Sequence, residues 1–369
     1  MKKGRLHILL SLVLSIVIIA TGCGGGNGSK AGKADKSKIE NLPAAIAEKD
    51  VKIKVIRKIG GDDHTAQFLA GAKQEGEALG FTVDTFSANG DTVKFLDALE
   101  QAGNGGYDGI VVSHADSIEA ANVIKKLRDK GIQVVAFDSV DEVGAVEGVT
   151  LTSQNDEMLA KFALDQLVKE QGPDANLVYL WVDGFPPMVR RNKVYQEMLA
   201  TYPGLKEVDR FGVASDNTSV DTQNAVNAIL TQYPKGEIDA IFATWDAFAI
   251  GAARALIEAG RTEIKIYGID VSNADLQIMQ EENSPWVASA AVDPKMIGAV
   301  NVRLIAKKIA GEETPMTYNL EAALIDQAAL KSASKTVNMI TLADIIPGWG
   351  TTDAFEEDWM KSLKEAYSK

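Results

Sequence analysis

From residue 51 onward, short aliphatic runs alternate with longer stretches whose apolar positions recur every three or four residues. The short runs have strand length and the longer stretches helical period. Their regular alternation predicts an α/β fold with parallel sheets, because a parallel pair needs a crossover long enough to hold a helix. Expected strands fall at 52–56, 82–86, 109–112 and 133–137, then at 176–182, 208–212, 240–243, 265–269 and 288–292. Helices are expected at 66–79, 117–130, 220–232 and 248–259, with Asp116 or Ser117 capping the second and Asp246 the fourth. Glycine and proline pairs at 60–61, 105–106 and 186–187 mark loops.

Two stretches repeat one pattern. GIVVSHADS (109–117) leads through a helix to GIQVVAFDSV (131–140), and AIFATWDAF (240–248) leads through a helix to EIKIYGIDVS (263–272). Each begins with a strand ending in a polar turn that carries an aspartate, Asp116 or Asp246. Each closes with a strand ending in Asp138 or Asp270. In open parallel sheets ligands bind outside the carboxyl ends of the strands. Two facing sheets would therefore set Asp138 and Asp270 on opposite walls of one cleft. A cleft lined by carboxylates suits a polyhydroxylated ligand, since an ionised carboxylate accepts from hydroxyl donors.

Length and charge narrow the field. At 369 residues the chain has room for about two domains, and it carries 51 acidic against 38 basic residues. A formal charge of −13 argues against nucleic acid, whose phosphates need a dense basic surface. One cysteine excludes an intramolecular disulfide, CxxC redox chemistry and thiolate zinc sites. No GxxxxGK[ST], HExxH or GxSxG is present, so the usual signals of an NTPase, a zinc protease or an α/β-hydrolase are missing. Neither an enzyme nor a cofactor or metal site is expected.

The amino terminus reads as an export signal: Lys2, Lys3 and Arg5 precede an apolar run at 8–20 that is short for a membrane span. Thr21, Gly22 and Cys23 follow, and this segment resembles the lipobox of bacterial lipoproteins, with Ala20 where leucine is usual. The resemblance implies lipidation at Cys23 and a location at the extracytoplasmic face of the cell membrane; two acyl chains give stable anchoring. Removing residues 1–22 takes three basic residues and no acid, so −13 becomes −16. The following residues begin Gly/Ser/Lys-rich, and 23–50 is expected to be the lipidated cysteine and a flexible tether.

Signal, tether and duplicated lobes together resemble the type I periplasmic binding proteins, and among them the ribose/galactose-type sugar receptors of ABC importers. The residues that carry the likeness are GAKQEGEALGF (71–81), VVAFDSV (134–140), ATWDAFAIGAARALIEAG (243–260), YGID (267–270) and ASAAVDPKMIGAVNV (288–302). The resemblance implies two doubly wound parallel-sheet lobes joined by a hinge of three crossings, near residues 150, 292 and 320. The first lobe would comprise 51–151 plus 293–320, and the second 152–292 plus 321–369. Hinge closure would trap a monosaccharide or polyol, and an ABC permease with its ATPase would read the closed form of a monomeric receptor.

By the same resemblance Asp138 and Asp270 accept from sugar hydroxyls, Ser113 occupies a short polar position, and Arg190 or Arg191 supplies a donor fork, with Arg190 slightly favoured. The chain departs from the pattern elsewhere. Lys58, Asp62 and His64 stand where stacking aromatics are common, Trp245 where an asparagine is, Asn217 where a further aromatic is and Val292 where a glutamine is. A cleft with Trp245, and with it Phe185, as its apolar wall follows. A signalling receptor for a furanosyl quorum signal or a sensor kinase is the alternative, motivated by Lys58. The tail at 355–367 is expected to form an amphipathic helix, Phe355, Trp359, Leu363 and Tyr367 on one side, acting as a structural cap.

Overall fold

The computed structural model describes residues 35–215 and 217–368, so the export signal and Cys23 lie outside the described residues. Its first half contains α1 (Ala44–Ala47), β1 (Lys52–Arg57), α2 (Asp63–Ala78), β2 (Thr82–Ser87), α3 (Thr92–Ala102), β3 (Gly109–Ser113), α4 (Ile118–Asp129), β4 (Gln133–Phe137), α5 (Asp141–Gly144) and β5 (Val149–Ser153). The second half repeats the alternation with α6 (Asp156–Gln171), β6 (Asn176–Leu180), α7 (Pro186–Thr201), β7 (Lys206–Phe211), α8 (Thr218–Gln232), β8 (Ala240–Ala243), α9 (Asp246–Glu258), β9 (Lys265–Ile269), α10 (Asn273–Met279) and β10 (Trp286–Ala291). Then come α11 (Pro294–Ala310), β11 (Thr317–Asn319), β12 (Ala323–Asp326), α12 (Gln327–Ser332) and α13 (Asp358–Tyr367).

The strands form two six-stranded sheets, in the order β2-β1-β3-β4-β5-β11 and β7-β6-β8-β9-β10-β12. The first is parallel throughout, and the second carries one antiparallel edge strand, β12. The central strands are buried on both faces, which is why they read as unbroken aliphatic runs. Both sheets reverse winding direction beside their first strand. That opens a crevice at the carboxyl ends of the strands in each lobe.

The family motifs at 71–81 and 288–302 meet where α2 crosses α11. A Cβ at Gly71 would lie 2.1 Å from the Lys295 carbonyl oxygen, and one at Gly298 would lie 2.3 Å from that of Phe68. Glycine at both positions is what lets the backbones touch. The helices then close a core with Ile53, Val55 and Val135.

Two expectations about the chain's ends are corrected. Ile46 is fully buried against the first lobe's core, and Lys36 donates to the carbonyls of Ile46 and Lys49, so the segment from 36 to 50 is packed structure rather than tether. The tail, expected with the second lobe, sends its last helix back to the first. Trp359, Met360 and Leu363 of α13 join the core that contains Ile53 and Val300. The Tyr367 ring fits over Gly80, where a Cβ would meet it at 2.2 Å. The apolar stripe of α13 is the reason, since it buries its aromatic face on α2 and α11.

At α4 the cap is Ser117, whose hydroxyl accepts from the Ala120 amide. Asp246 does not cap α9. Trp245 occupies the cap position, and Asp246 is the first helical residue, accepting from the Ala247 amide.

Candidate functional site

Asp138 and Asp270 end β4 and β9 in the same backbone conformation. Both are left-handed, with φ of 46° and 73°. Each amide donates at 2.9 Å to a carbonyl of the neighbouring strand, Thr152 for Asp138 and Ala290 for Asp270. Aspartate tolerates this region better than most residues, and strained backbone of this kind concentrates where ligands are held.

The side chains of the pair diverge. Asp270 lines a cavity between the lobes that holds about 570 Å3 of empty space, counted to its open mouth. Asp138 is wholly buried and does not line it. Two adjacent arginines of α7 make the difference. Arg190 reaches across to Asp138 at 2.9 Å, and Arg191 approaches Asp270 at 3.3 Å while donating to the Thr244 carbonyl. Asp156, at the start of α6, accepts from both guanidinium groups. Arg191 is the arginine that lines the cavity; Arg190, favoured from sequence, faces a separate pocket beside Ser153 and Asn319 at the crossings.

Burial alone would lower the Arg191 pKa, but the Asp270 and Asp156 charges outweigh it and hold the guanidinium above its ordinary value. Burial, and then the neighbouring Asp156 charge, push Asp138 well above the usual carboxylate range, with Arg190 opposing. Its second oxygen, Oδ2, has no partner.

The first lobe contributes a polar wall. Arg57, the last residue of β1, donates to the Thr65 hydroxyl at 3.0 Å and lies over the Phe68 ring. It also stands 3.4 Å from His64 Nδ1 and 3.4 Å from the Ser113 hydroxyl. A guanidinium has no acceptor, so His64 Nδ1 accepts and Nε2 carries the proton. That Nε2 is buried without a partner. Burial lowers the His64 pKa, the Asp270 charge opposing, and the ring is neutral at pH 7. Asp62 caps α2 by accepting from the Thr65 amide at 2.6 Å. Burial would raise its pKa, but the Arg57 charge and the hydrogen bonds from Thr65 bring it below the ordinary value. Gln154, immediately after β5, adds a buried and unpartnered Oε1.

The second lobe contributes an apolar wall of Val182, Phe185, Pro187, Met188, Ala214 and Trp245, drawn from the loops after β6, β7 and β8 and from the first turn of α7. Its polar neighbours are already engaged. The Trp181 indole donates to the Met188 carbonyl at 2.9 Å, and the Thr244 hydroxyl donates to that of Leu180 at 2.9 Å.

Of the residues singled out from sequence, Asp62, His64, Arg191, Trp245 and Asp270 share this cavity. Lys58 is turned away into a buried ion pair with Asp116. Ser113 is fully buried and hydrogen-bonds His114 Nδ1 at 2.7 Å. Asn217 lies outside, in a groove with Gly60, Gly61 and Asp62. Sequence reasoning passed over Arg57, His114, Gln154 and Phe137. For Arg57 a signal existed: it has the parity of Ile53 and Val55, which face α2, whereas Lys58 has that of Ile56, which faces α3 and α4. Among the described residues no group of three or more His, Cys, Asp or Glu could hold a metal ion, and no helix is long and apolar enough to cross a membrane.

Comparison with known proteins gives this geometry its relatives. Residues 53–313 match the periplasmic binding protein domain. The chain is similar to the crystal structure of a sugar ABC transporter from Yersinia enterocolitica subsp. enterocolitica 8081, at 49% identity and a TM-score of 0.86, over 89% of this chain and 99% of that one. It is similar also to a 5-methylthioribose transporter solute binding protein from Thermotoga lettingae TMO, solved with 5-methylthioribose. Identity there is 33% and the TM-score 0.81, over 86% of this chain and 99% of the other. The ribose import binding protein RbsB of Escherichia coli (strain K12) is 24% identical over 260 residues, 69% of this chain and 83% of RbsB. These relatives are transport binding proteins rather than enzymes, and their family is extracytoplasmic. The chain belongs to the type I periplasmic binding proteins, as a sugar receptor among the solute-binding proteins of sugar and polyol ABC transporters.

Proposed function

We propose that this chain captures a small polyhydroxylated ligand, a monosaccharide or polyol, in the interlobe cavity and delivers it to an ABC permease. The observation that carries the reading is the cavity itself. It buries the Asp270–Arg191 pair against two polar atoms without partners, His64 Nε2 and Gln154 Oε1. Buried polar groups in folded proteins are nearly always satisfied, so a donor and an acceptor left open in one cavity fit a ligand that brings hydroxyls. Asp270 accepts from ligand hydroxyls while Arg191 fixes its orientation, and Asp62 offers a further acceptor.

Closure is proposed to occur at the crossings between β5 and α6, β10 and α11, and β11 and β12. Two contacts between the lobes hold the closed form: Arg190 on Asp138, and the Asn273 amide donating to Asp63 at 2.9 Å. Lys58 and Ser113 support the first-lobe wall from behind, and Asn217 stands at the mouth. Anchoring through a lipid on Cys23 and action as a monomer complete the proposal. Replacing Cys23 with serine is expected to release the protein from the membrane fraction.

Calorimetric titration of the full chain, purified in detergent and freed of co-purified ligand, against a panel of pentoses, hexoses and polyols tests the ligand class. Binding of at least one member, lost in Asp270→Ala with the fold intact, is expected. If no member binds, the ligand class is wrong.

A further inference from the structure

The two walls of the cavity carry different chemistry, and the difference speaks to the shape of the ligand. The two buried polar atoms without partners that line it stand across from the second-lobe wall, His64 on α2 and Gln154 in the crossing after β5. On the second-lobe side the lining outside Arg191 and Asp270 is Val182, Phe185, Pro187, Met188, Ala214 and Trp245. That wall is no single stacking plane. Its residues come from three loops and the start of α7, and Trp245 is held edge-on to Phe248 at 5.7 Å. One aromatic face suffices to cover the C–H face of a sugar ring. A hydroxylated substituent pressed against the whole wall would lose its water and find no partner, because the nearby polar atoms are spent on Trp181 and Leu180.

We infer that the ligand is a pentose-sized sugar in which one hydroxyl is replaced by an apolar group, alkylthio or deoxy, with that group against the second-lobe wall and the remaining hydroxyls toward His64, Gln154 and Asp270. This deepens the proposed function and rests on it. The wall then discriminates by what the substituent lacks. An apolar group gains by leaving water, and a hydroxyl in the same place is penalised.

The test is a calorimetric comparison of D-ribose, 5-deoxyribose and 5-methylthioribose on the full chain, with Val182→Thr and Trp245→Ala beside it. Val182→Thr keeps the side-chain shape and adds a hydroxyl to the wall, so it serves even if Trp245→Ala loses its fold. The substituted sugars are expected to bind at least about tenfold more tightly than ribose. Val182→Thr should narrow that ratio several-fold, chiefly by strengthening ribose binding, because the added hydroxyl gives the ribose hydroxyl a partner on the wall. Ribose binding as tightly as either substituted sugar, or a ratio untouched by Val182→Thr, overturns the inference while the sugar-receptor reading stands. No binding of any of the three, with a hexose or polyol of the wider panel bound, overturns the inference too. Failure of every sugar and polyol overturns both.

Discussion

Asp138 and Asp270 are the same residue type at the same place in two copies of one unit, with matching left-handed backbones and matching amide hydrogen bonds. One lines the cavity between the lobes and the other is wholly buried outside it. The choice is made outside the repeat, by Arg190 and Arg191. Neighbours on a helix point about 100° apart, so each takes a different aspartate, and Asp156 fixes both. Duplication thus sets where a strand-end acid sits, and its partner sets what it does. The same divergence extends to the walls, polar in the first lobe and apolar in the second.

The lobes differ most in how their outer surfaces are closed, and the largest effect is expected there. Trp359→Ala empties the seat of α13 on the first lobe and should cost about 3–5 kcal/mol of stability. Hydrogen exchange should place the loss in β1, α2 and α11, with the second lobe protected as before. Equal loosening of both lobes would show that α13 does not belong to the first alone.

Next comes the aspartate pair itself. Asp270→Ala leaves Arg191 without its cavity-side partner and removes the proposed ligand acceptor, and an affinity loss of about 100-fold or more is expected. Asp138→Ala should cost less than about tenfold, through Arg190 and the lobe contact. Titration of the two variants against one ligand makes the comparison, and equal losses would erase the asymmetry.

A third difference is a buried acid pair confined to the second lobe. Asp246 and Asp275 sit at the starts of α9 and α10, both buried. Burial pushes Asp275 up to about 7, and burial with the Asp275 charge raises Asp246 well above the carboxylate range. A folded-state pKa above the unfolded one means that the folded protein holds the proton longer. The stability that Asp275 contributes therefore falls as pH rises from about 4 to about 7 and levels off above. Asp275→Asn removes that loss. Its melting temperature should exceed the parent's at pH 8, with the gap closing toward pH 4. A gap that widens in acid would reverse the sign.

The smallest effect tests the first-lobe wall. Lys58→Met should leave ligand affinity within about twofold, because Lys58 faces Asp116 rather than the cavity. A large loss would return Lys58 to the site.

Much of this was legible in the chain. Alternating aliphatic runs and helical periods located the parallel strands, because buried strands leave unbroken apolar runs. The motif pair at 116–138 and 246–270 located both strand-end acids. What escaped was side-chain direction. Arg57 and Lys58 are adjacent and both basic, so charge alone does not separate them, whereas strand parity decides which of the two faces α2. Arg190 and Arg191 could not be separated without the phase of α7, which packing on the sheet sets. The return of α13 to the first lobe was hidden for a related reason. Its apolar stripe announced burial but named no partner, and the loop before it is long enough to reach either lobe.

The most direct test is a crystal structure of the protein with the tightest binder of the sugar panel. That ligand is expected in the cavity between the lobes, with an oxygen in hydrogen-bond reach of Asp270 and another at His64 Nε2, and its least polar part against Met188 and Trp245. A ligand seated elsewhere, or one whose hydroxyls face the second-lobe wall, would contradict it.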